Sequence, residues 1–170
     1  MMKKIIKEYG LFVIALIAII LIKMFVFSPV RVSGPSMEPT LHRGDIMILN
    51  KTSYRNNDIE RFDIVVVRHN SELLIKRVIG LPGEHIEYQG DRLLVDGEEI
   101  EEPFNTTYIE DFDITRGLGI DFIPTDHYFV LGDNRMDSLD SRSIGVVSKD
   151  QIAGRANRII LPFNRFGRVE

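Results

Sequence analysis

FDIVVVR, residues 62–68, and ELLIKRVIG, residues 72–80, decide how this chain folds. Both are short, rich in Val and Ile, and closed by Asn or Gly punctuation, which reads as β-strand rather than helix. The same texture extends outward in both directions. DIMILN (45–50) precedes the pair, and HIEYQ (85–89), DRLLVDG (91–97), HYFVLG (127–132), IGVVS (144–148) and IAGRANRIIL (152–161) come after it. Tyr88 to Val95, centred on Gln89-Gly90-Asp91, reads as a hairpin, and Asp96-Gly97 marks a second tight turn. Residues 101–126 are acidic and irregular, and are expected to form a long excursion from the sheet. The fold expected is therefore mostly β and antiparallel.

The first thirty residues have a different character. LFVIALIAIILIKMFVFSPV, Leu11–Val30, is apolar except for Lys23, and twenty helical residues span roughly 30 Å, the thickness of a bilayer's hydrocarbon core. Lys23 lies close enough to one end to snorkel. A cleaved signal peptide would need an A-x-A-like site after the run, and none is present. A buried soluble helix would carry a polar stripe, which Leu11 to Ile22 lacks. An uncleaved transmembrane anchor fits best. Lys3, Lys4 and Lys7 precede it, so the positive-inside rule puts the N-terminus in the cytoplasm and the chain beyond Val30 outside. The organisation expected is residues 1–10 cytoplasmic, 11–30 anchor, and 31–170 an extracytoplasmic β domain.

Composition excludes several functions. The chain has 170 residues, room for one anchor and one ordinary domain. Its net charge of −4 argues against nucleic acid as the main partner. With no cysteine, disulfides and thiolate chemistry are ruled out. His42, His69, His85 and His127 never reach a spacing such as H-x-x-x-H, so neither metal nor cofactor is expected. There is no G-x-S-x-G elbow, P-loop or dinucleotide fingerprint.

Two residues could carry chemistry. Ser36 sits in SGPSMEPTL (33–41), a turn stiffened by Gly34, Pro35 and Pro39 six residues beyond the apolar run. Such a turn would aim a nucleophilic hydroxyl and leave backbone N–H groups free to receive an oxyanion; it could equally be a rigid connector whose serine caps a turn. Lys76 lies inside ELLIKRVIG, with Leu74 and Val78 on its face by the period of two. Burial there would lower its pKa toward the range of a general base, whereas an edge-strand lysine with its head in water would guard against aggregation. Together the two make a Ser–Lys dyad. A third segment, GDNRMDSLDSR (132–142), lies between two apolar runs; its Asp133, Arg135, Asp140 and Arg142 could form a charge network and its Ser138 could orient a neutral amine, or the segment could be a solvated loop with incidental surface pairs.

With these segments in order, the chain resembles the type I signal peptidases of the bacterial serine–lysine kind. The resemblance runs over nearly the whole chain: the anchor, SGPSMEPTL, RGDIMIL (43–49), KRVIGLPGE (76–84) and GDNRMDSLDSR. The lysine in KRVIG separates it from the endoplasmic-reticulum relatives, which use histidine as the base. The resemblance implies Ser36 as nucleophile and Lys76 as general base, with Ser138 hydrogen-bonding the amine. It implies an Asp140–Arg142 ion pair and an Asp133–Arg77 pair in support. The oxyanion would be received by the Ser36 N–H. Some members place a serine hydroxyl two residues before the nucleophile; Gly34 stands there in this chain, so the second donor is left to a backbone N–H or water. Val32, Met37, Leu41, Leu74 and Ile75 would line the substrate pockets. The implied activity is removal of signal peptides from exported preproteins by a membrane-bound serine endopeptidase. It would work at the outer face of the bacterial cell membrane, in contact with the bilayer, cutting after small residues at the first and third positions before the bond. The reading from another class is a membrane-tethered β-domain binding protein without catalysis.

Overall fold

The computed structural model describes residues 9, 10, 12–17, 20, 25–55 and 57–169. The strands run β1 (Phe27–Arg31), β2 (Ile46–Asn50), β3 (Ile64–His69), β4 (Glu72–Gly80), β5 (Ile86–Gln89), β6 (Arg92–Val95) and β7 (Glu98–Ile100). They continue as β8 (Phe112–Asp113), β9 (His127–Leu131), β10 (Val147–Ser148), β11 (Ile152–Arg155), β12 (Arg158–Leu161) and β13 (Gly167–Arg168). Two short helices, α1 (Ile114–Leu118) and α2 (Ser141–Ile144), flank them.

The two runs read as strands pair with each other as the β3–β4 hairpin at the centre of the fold, antiparallel from Ile64↔Arg77 to His69↔Glu72. Around it the large sheet runs β10-β9-β4-β3-β11-β2-β12-β13, with β1 on β2. Ile64 to Val67 are all buried, because both faces of β3 are covered. Ile64 and Val66 join a cluster with Met37, Leu41, Met47 and Ile75, while Val65 and Val67 join Val78, Tyr128, Val130 and Val147. A strand covered on both faces loses its polar alternation, which explains the unbroken IVVV run.

A second, four-stranded sheet runs β7-β6-β5-β8. Its two hairpins turn where expected. Gly90 and Asp91, then Asp96 and Gly97, all have positive φ, as two-residue turns matching strand twist require. Between the sheets lies a third core cluster, with Ile79, Ile86, Tyr88, Leu93, Ile109, Ile123 and Phe129. The two-sheet arrangement was not anticipated. Nor is 101–126 wholly irregular: β8 returns to pair with β5, and Asp113 caps α1 by accepting from the Arg116 N–H. The run IGVVS is split, its start ending α2 and its end forming β10.

The expected anchor needs a correction at its end. Phe27–Val30 form most of β1, pairing with β2 from Phe27↔Asn50 to Arg31↔Ile46. Hydropathy cannot separate a lipid-facing helix from a half-buried strand, and Pro29 is tolerated because β1 pairs on one side only. Residues 12–17, 20, 25 and 26 are helical. Residues 11, 18, 19 and 21–24 of the expected span, and 1–8 before it, lie outside the described residues. Among the described residues no helix is long and apolar enough to cross a membrane.

Candidate active site

The turn after β1 carries Ser36 and β4 carries Lys76, and the fold brings them together across forty residues: Lys76 Nζ donates to Ser36 Oγ at 2.8 Å. The turn is held by its own backbone, with Glu38 N–H donating to Pro35 O at 2.9 Å and Leu41 N–H to Met37 O at 2.8 Å. It is also tied to the loop after β9, where Asn134 N–H donates to Ser36 O at 3.1 Å. Ser36 itself is half-buried, so its hydroxyl is held in direction yet reachable. Its N–H donates to no group among the described residues, leaving a donor beside Oγ.

Lys76 is 2% exposed. Burial, which penalises the ammonium form, brings its pKa from the ordinary 10.5 down to about 8. The nearby Asp140 and Asp133 carboxylates pull the other way, and Arg142 adds to the lowering. Burial wins because each carboxylate is already engaged by its own guanidinium. Arg77 Nε and Nη2 donate to the two oxygens of Asp133 at 2.9 and 2.7 Å. Arg142 Nε and Nη2 do the same to Asp140 at 2.9 and 2.8 Å. Two neutralised pairs leave little net negative charge to hold a proton on the amine. Both pairs implied by the resemblance are thus formed, and the Arg77 guanidinium further stacks 3.7 Å from the Phe104 ring centroid.

Ser138 departs from expectation. Its Oγ is buried and makes no hydrogen bond, so the contact to the Lys76 amine is not formed. The hydroxyl lies instead against Gly132, where an added Cβ would overlap Ser138 Oγ and Ser36 O. Gly132 and Asn134 are the positioning residues that sequence reasoning passed over. Glycine is needed at 132 because two polar atoms of the site crowd its Cα, a requirement with no local sequence signature. Arg135 is buried and ties the same loop together through Gly132 O at 3.0 Å and Tyr88 OH at 2.9 Å.

A groove of ≈ 270 Å³ opens on the dyad between residues 31–37 and residues 72–76. Its floor is an open sheet edge. β4 pairs with β3 throughout 72–77, but β9 joins its other side only from Arg77 onward. Among the described residues, no strand pairs with 72–76 on that side. Val32, Met37, Leu74 and Ile75 line the groove. Leu41 does not: it is fully buried in the core cluster beneath the turn, because the turn folds back and carries it inward. Gly34 lies in the groove wall.

Comparison with known proteins gives a consistent result. Residues 3–161 match the family described as signal peptidase, peptidase S26. A signal peptidase I of Bacillus caldolyticus is 40% identical over 90% of this chain and 90% of its own length. Signal peptidase I S of Bacillus subtilis is 38% identical over 92% of this chain and 89% of its own. The crystal structure of a signal peptidase I from Enterococcus faecalis superposes with a TM-score of 0.54 at 34% identity, covering 58% of this chain and 97% of that one.

Proposed function

The chain belongs to the signal peptidase family, peptidase S26, and from that premise we propose that it cuts with Ser36 as nucleophile and neutral Lys76 as general base. It is a serine endopeptidase that removes signal peptides from preproteins. The 2.8 Å approach of Lys76 Nζ to Ser36 Oγ, inside a groove, is the observation that carries the dyad.

With the amine neutral, the hydrogen bond reverses and Ser36 O–H donates to Nζ. Oγ attacks the scissile carbonyl carbon; a C–O bond forms and the proton passes to Nζ. The developing oxyanion is received by the Ser36 N–H. Collapse breaks the C–N bond, and the Lys76 ammonium protonates the departing amine. Water then attacks the ester while Lys76 takes its proton, the acyl C–O bond breaks, and the proton returns to Oγ. Asp133–Arg77 and Asp140–Arg142 hold the lysine's surroundings fixed and neutral.

The open edge of β4 suits an extended substrate, whose backbone would pair with residues 72–76 and send alternate side chains into the groove. Val32, Met37 and Ile75 narrow that groove, which favours small residues at the first and third positions before the bond. The apolar stretch ahead of β1 acts as a single membrane anchor with the N-terminus cytoplasmic, and the catalytic domain works on the outer face. Exposed Leu73 and Leu139 at the groove favour an apolar neighbourhood.

The test is cleavage of a purified preprotein by the detergent-solubilised chain beside Ser36→Ala and Lys76→Ala, with products identified by mass. Cutting at the signal-peptide junction is expected for the parent and should vanish in both variants. Variants that cut as fast as the parent would remove the dyad from the reaction.

A further inference from the structure

Away from the dyad, a hollow of ≈ 420 Å³ lies against β5, β8 and α1 in the smaller sheet. At its border the fold makes an unfavourable choice. Glu87 and Asp113 are direct partners in the β5–β8 register, and like charges facing each other across strands repel. His85 is two residues before Glu87 and shares its face. One ligand-type atom from each of His85, Glu87 and Asp113 lies within 4.8 Å of the others.

The histidine ring is oriented from behind by the backbone. His85 Nδ1 lies 2.8 Å from the backbone oxygen of Asp121, which can only accept, so Nδ1 carries the hydrogen. Nε2 is thereby the nitrogen turned to the cluster, 3.6 Å from Asp113 Oδ2. Such a carbonyl behind a ring nitrogen is the usual orienting partner of a ligating histidine. Asp113 Oδ1 is occupied by the Arg116 N–H of the α1 cap, and Glu87 Oε1 by Gln89 Nε2. One oxygen of each carboxylate is left over. In a tetrahedral site with bonds of ~2.1 Å, ligand atoms stand ~3.4 Å apart. The His85–Asp113 separation is already close to that, and only the flexible Glu87 side chain must turn inward. Burial is partial for all three, so an ion can enter without unfolding the sheet.

We propose that His85, Glu87 and Asp113 bind one divalent transition-metal ion of the Zn²⁺ type, which ties the returning segment β8–α1 to β5. A nitrogen and two carboxylate oxygens suit zinc rather than magnesium, which keeps its waters and prefers oxygen alone. The ion converts the facing Glu87 and Asp113 charges from repulsion into shared coordination. Arg116, which also lines the hollow, is a cation that opposes it. The spacing H-x-E with a third ligand from another strand is invisible to a search for paired histidines.

The test is calorimetric titration of the metal-stripped full chain with ZnCl2 and, separately, MgCl2, together with thermal unfolding in each. His85→Gln and Asp113→Asn are compared with the parent; asparagine keeps the helix cap, so the second variant folds as the parent does. One Zn²⁺ per chain and a raised Tm are expected for the parent, with no response to Mg²⁺. Both variants should lose more than about tenfold in zinc affinity, since even outer partners of a metal site cost 10–100-fold. Tryptic cutting after the exposed Arg116 should slow with zinc in the parent alone. Absence of one-to-one binding, or equal affinity in parent and either variant, overturns the site.

Discussion

Replacing Lys76 by Met should abolish cutting and at the same time make the protein more stable, by an amount that depends on pH in a calculable way. Lys76 has its pKa brought from 10.5 to about 8 by burial. That lowering corresponds to about 3 kcal/mol of differential cost for the charged form. Below pH 8 the lysine is protonated in both the folded and unfolded chain, and the folded state carries the whole penalty. Between pH 8 and 10.5 the unfolded chain keeps a proton that the folded one has lost, so stability rises with pH. Above 10.5 the amine is neutral in both and the penalty is gone. Methionine has similar reach and no charge, so it lacks this dependence. The stability advantage of Lys76→Met over the parent should therefore shrink by roughly 2–3 kcal/mol between pH 7 and pH 10. Urea unfolding of both proteins in mild detergent, monitored by circular dichroism at the two pH values, measures it. Taking the difference at each pH cancels the titration of every other group. A difference that stays constant to within about 0.5 kcal/mol would refute the account of a lysine kept neutral by burial.

Three further outcomes are expected from the same geometry. Cleavage at subsaturating substrate should rise about tenfold per pH unit below pH 8 and level off above it; a flat profile from pH 5 to 9 with chemistry rate-limiting would contradict Lys76 as base. Gly132→Ala should lower kcat by about a hundredfold through displacement of the Ser36 turn, with circular dichroism unchanged, and a loss below twofold would show that the close approach is unimportant. Asp133→Asn removes the carboxylate that accepts two hydrogen bonds from the buried Arg77 guanidinium and should cost roughly 3–5 kcal/mol in unfolding experiments; a cost under 1 kcal/mol would mean that this pair contributes little.

How much of this was legible depends on whether the signal was local. β4 occupies residues 72–80 as read from its Val- and Ile-rich run, and both Gly-Asp turns were readable because positive φ demands those residue types. Ser36 and Lys76 each had an ordinary reading alone, as a turn serine and an edge-strand lysine, and only taken together did they suggest a dyad. What escaped was set by distant contacts. β1 hid in the apolar run, since strand and membrane helix share a hydropathy. Leu41 looked like a pocket residue because it neighbours Ser36 in sequence, but the turn reverses before reaching it. Ser138 is close to the site yet directed at Gly132, an orientation that only the packing of two loops determines. His85, Glu87 and Asp113 meet through register, which no linear spacing reveals.

The open edge of β4 over residues 72–76 has one more consequence. Among the described residues no strand takes up its outward N–H and C=O groups, and a second strand can do so in ladder fashion only if its own backbone is unpaired. A folded domain keeps most of those groups in its own helices and sheets, so little of it is free to lie extended in the groove. Ordinary surface loops are too short or too curved to align several residues at once. The edge therefore acts as a test of foldedness that comes before any test of side-chain size. A released product is protected from a second cut simply by folding, and the time it takes to fold sets how long it remains vulnerable.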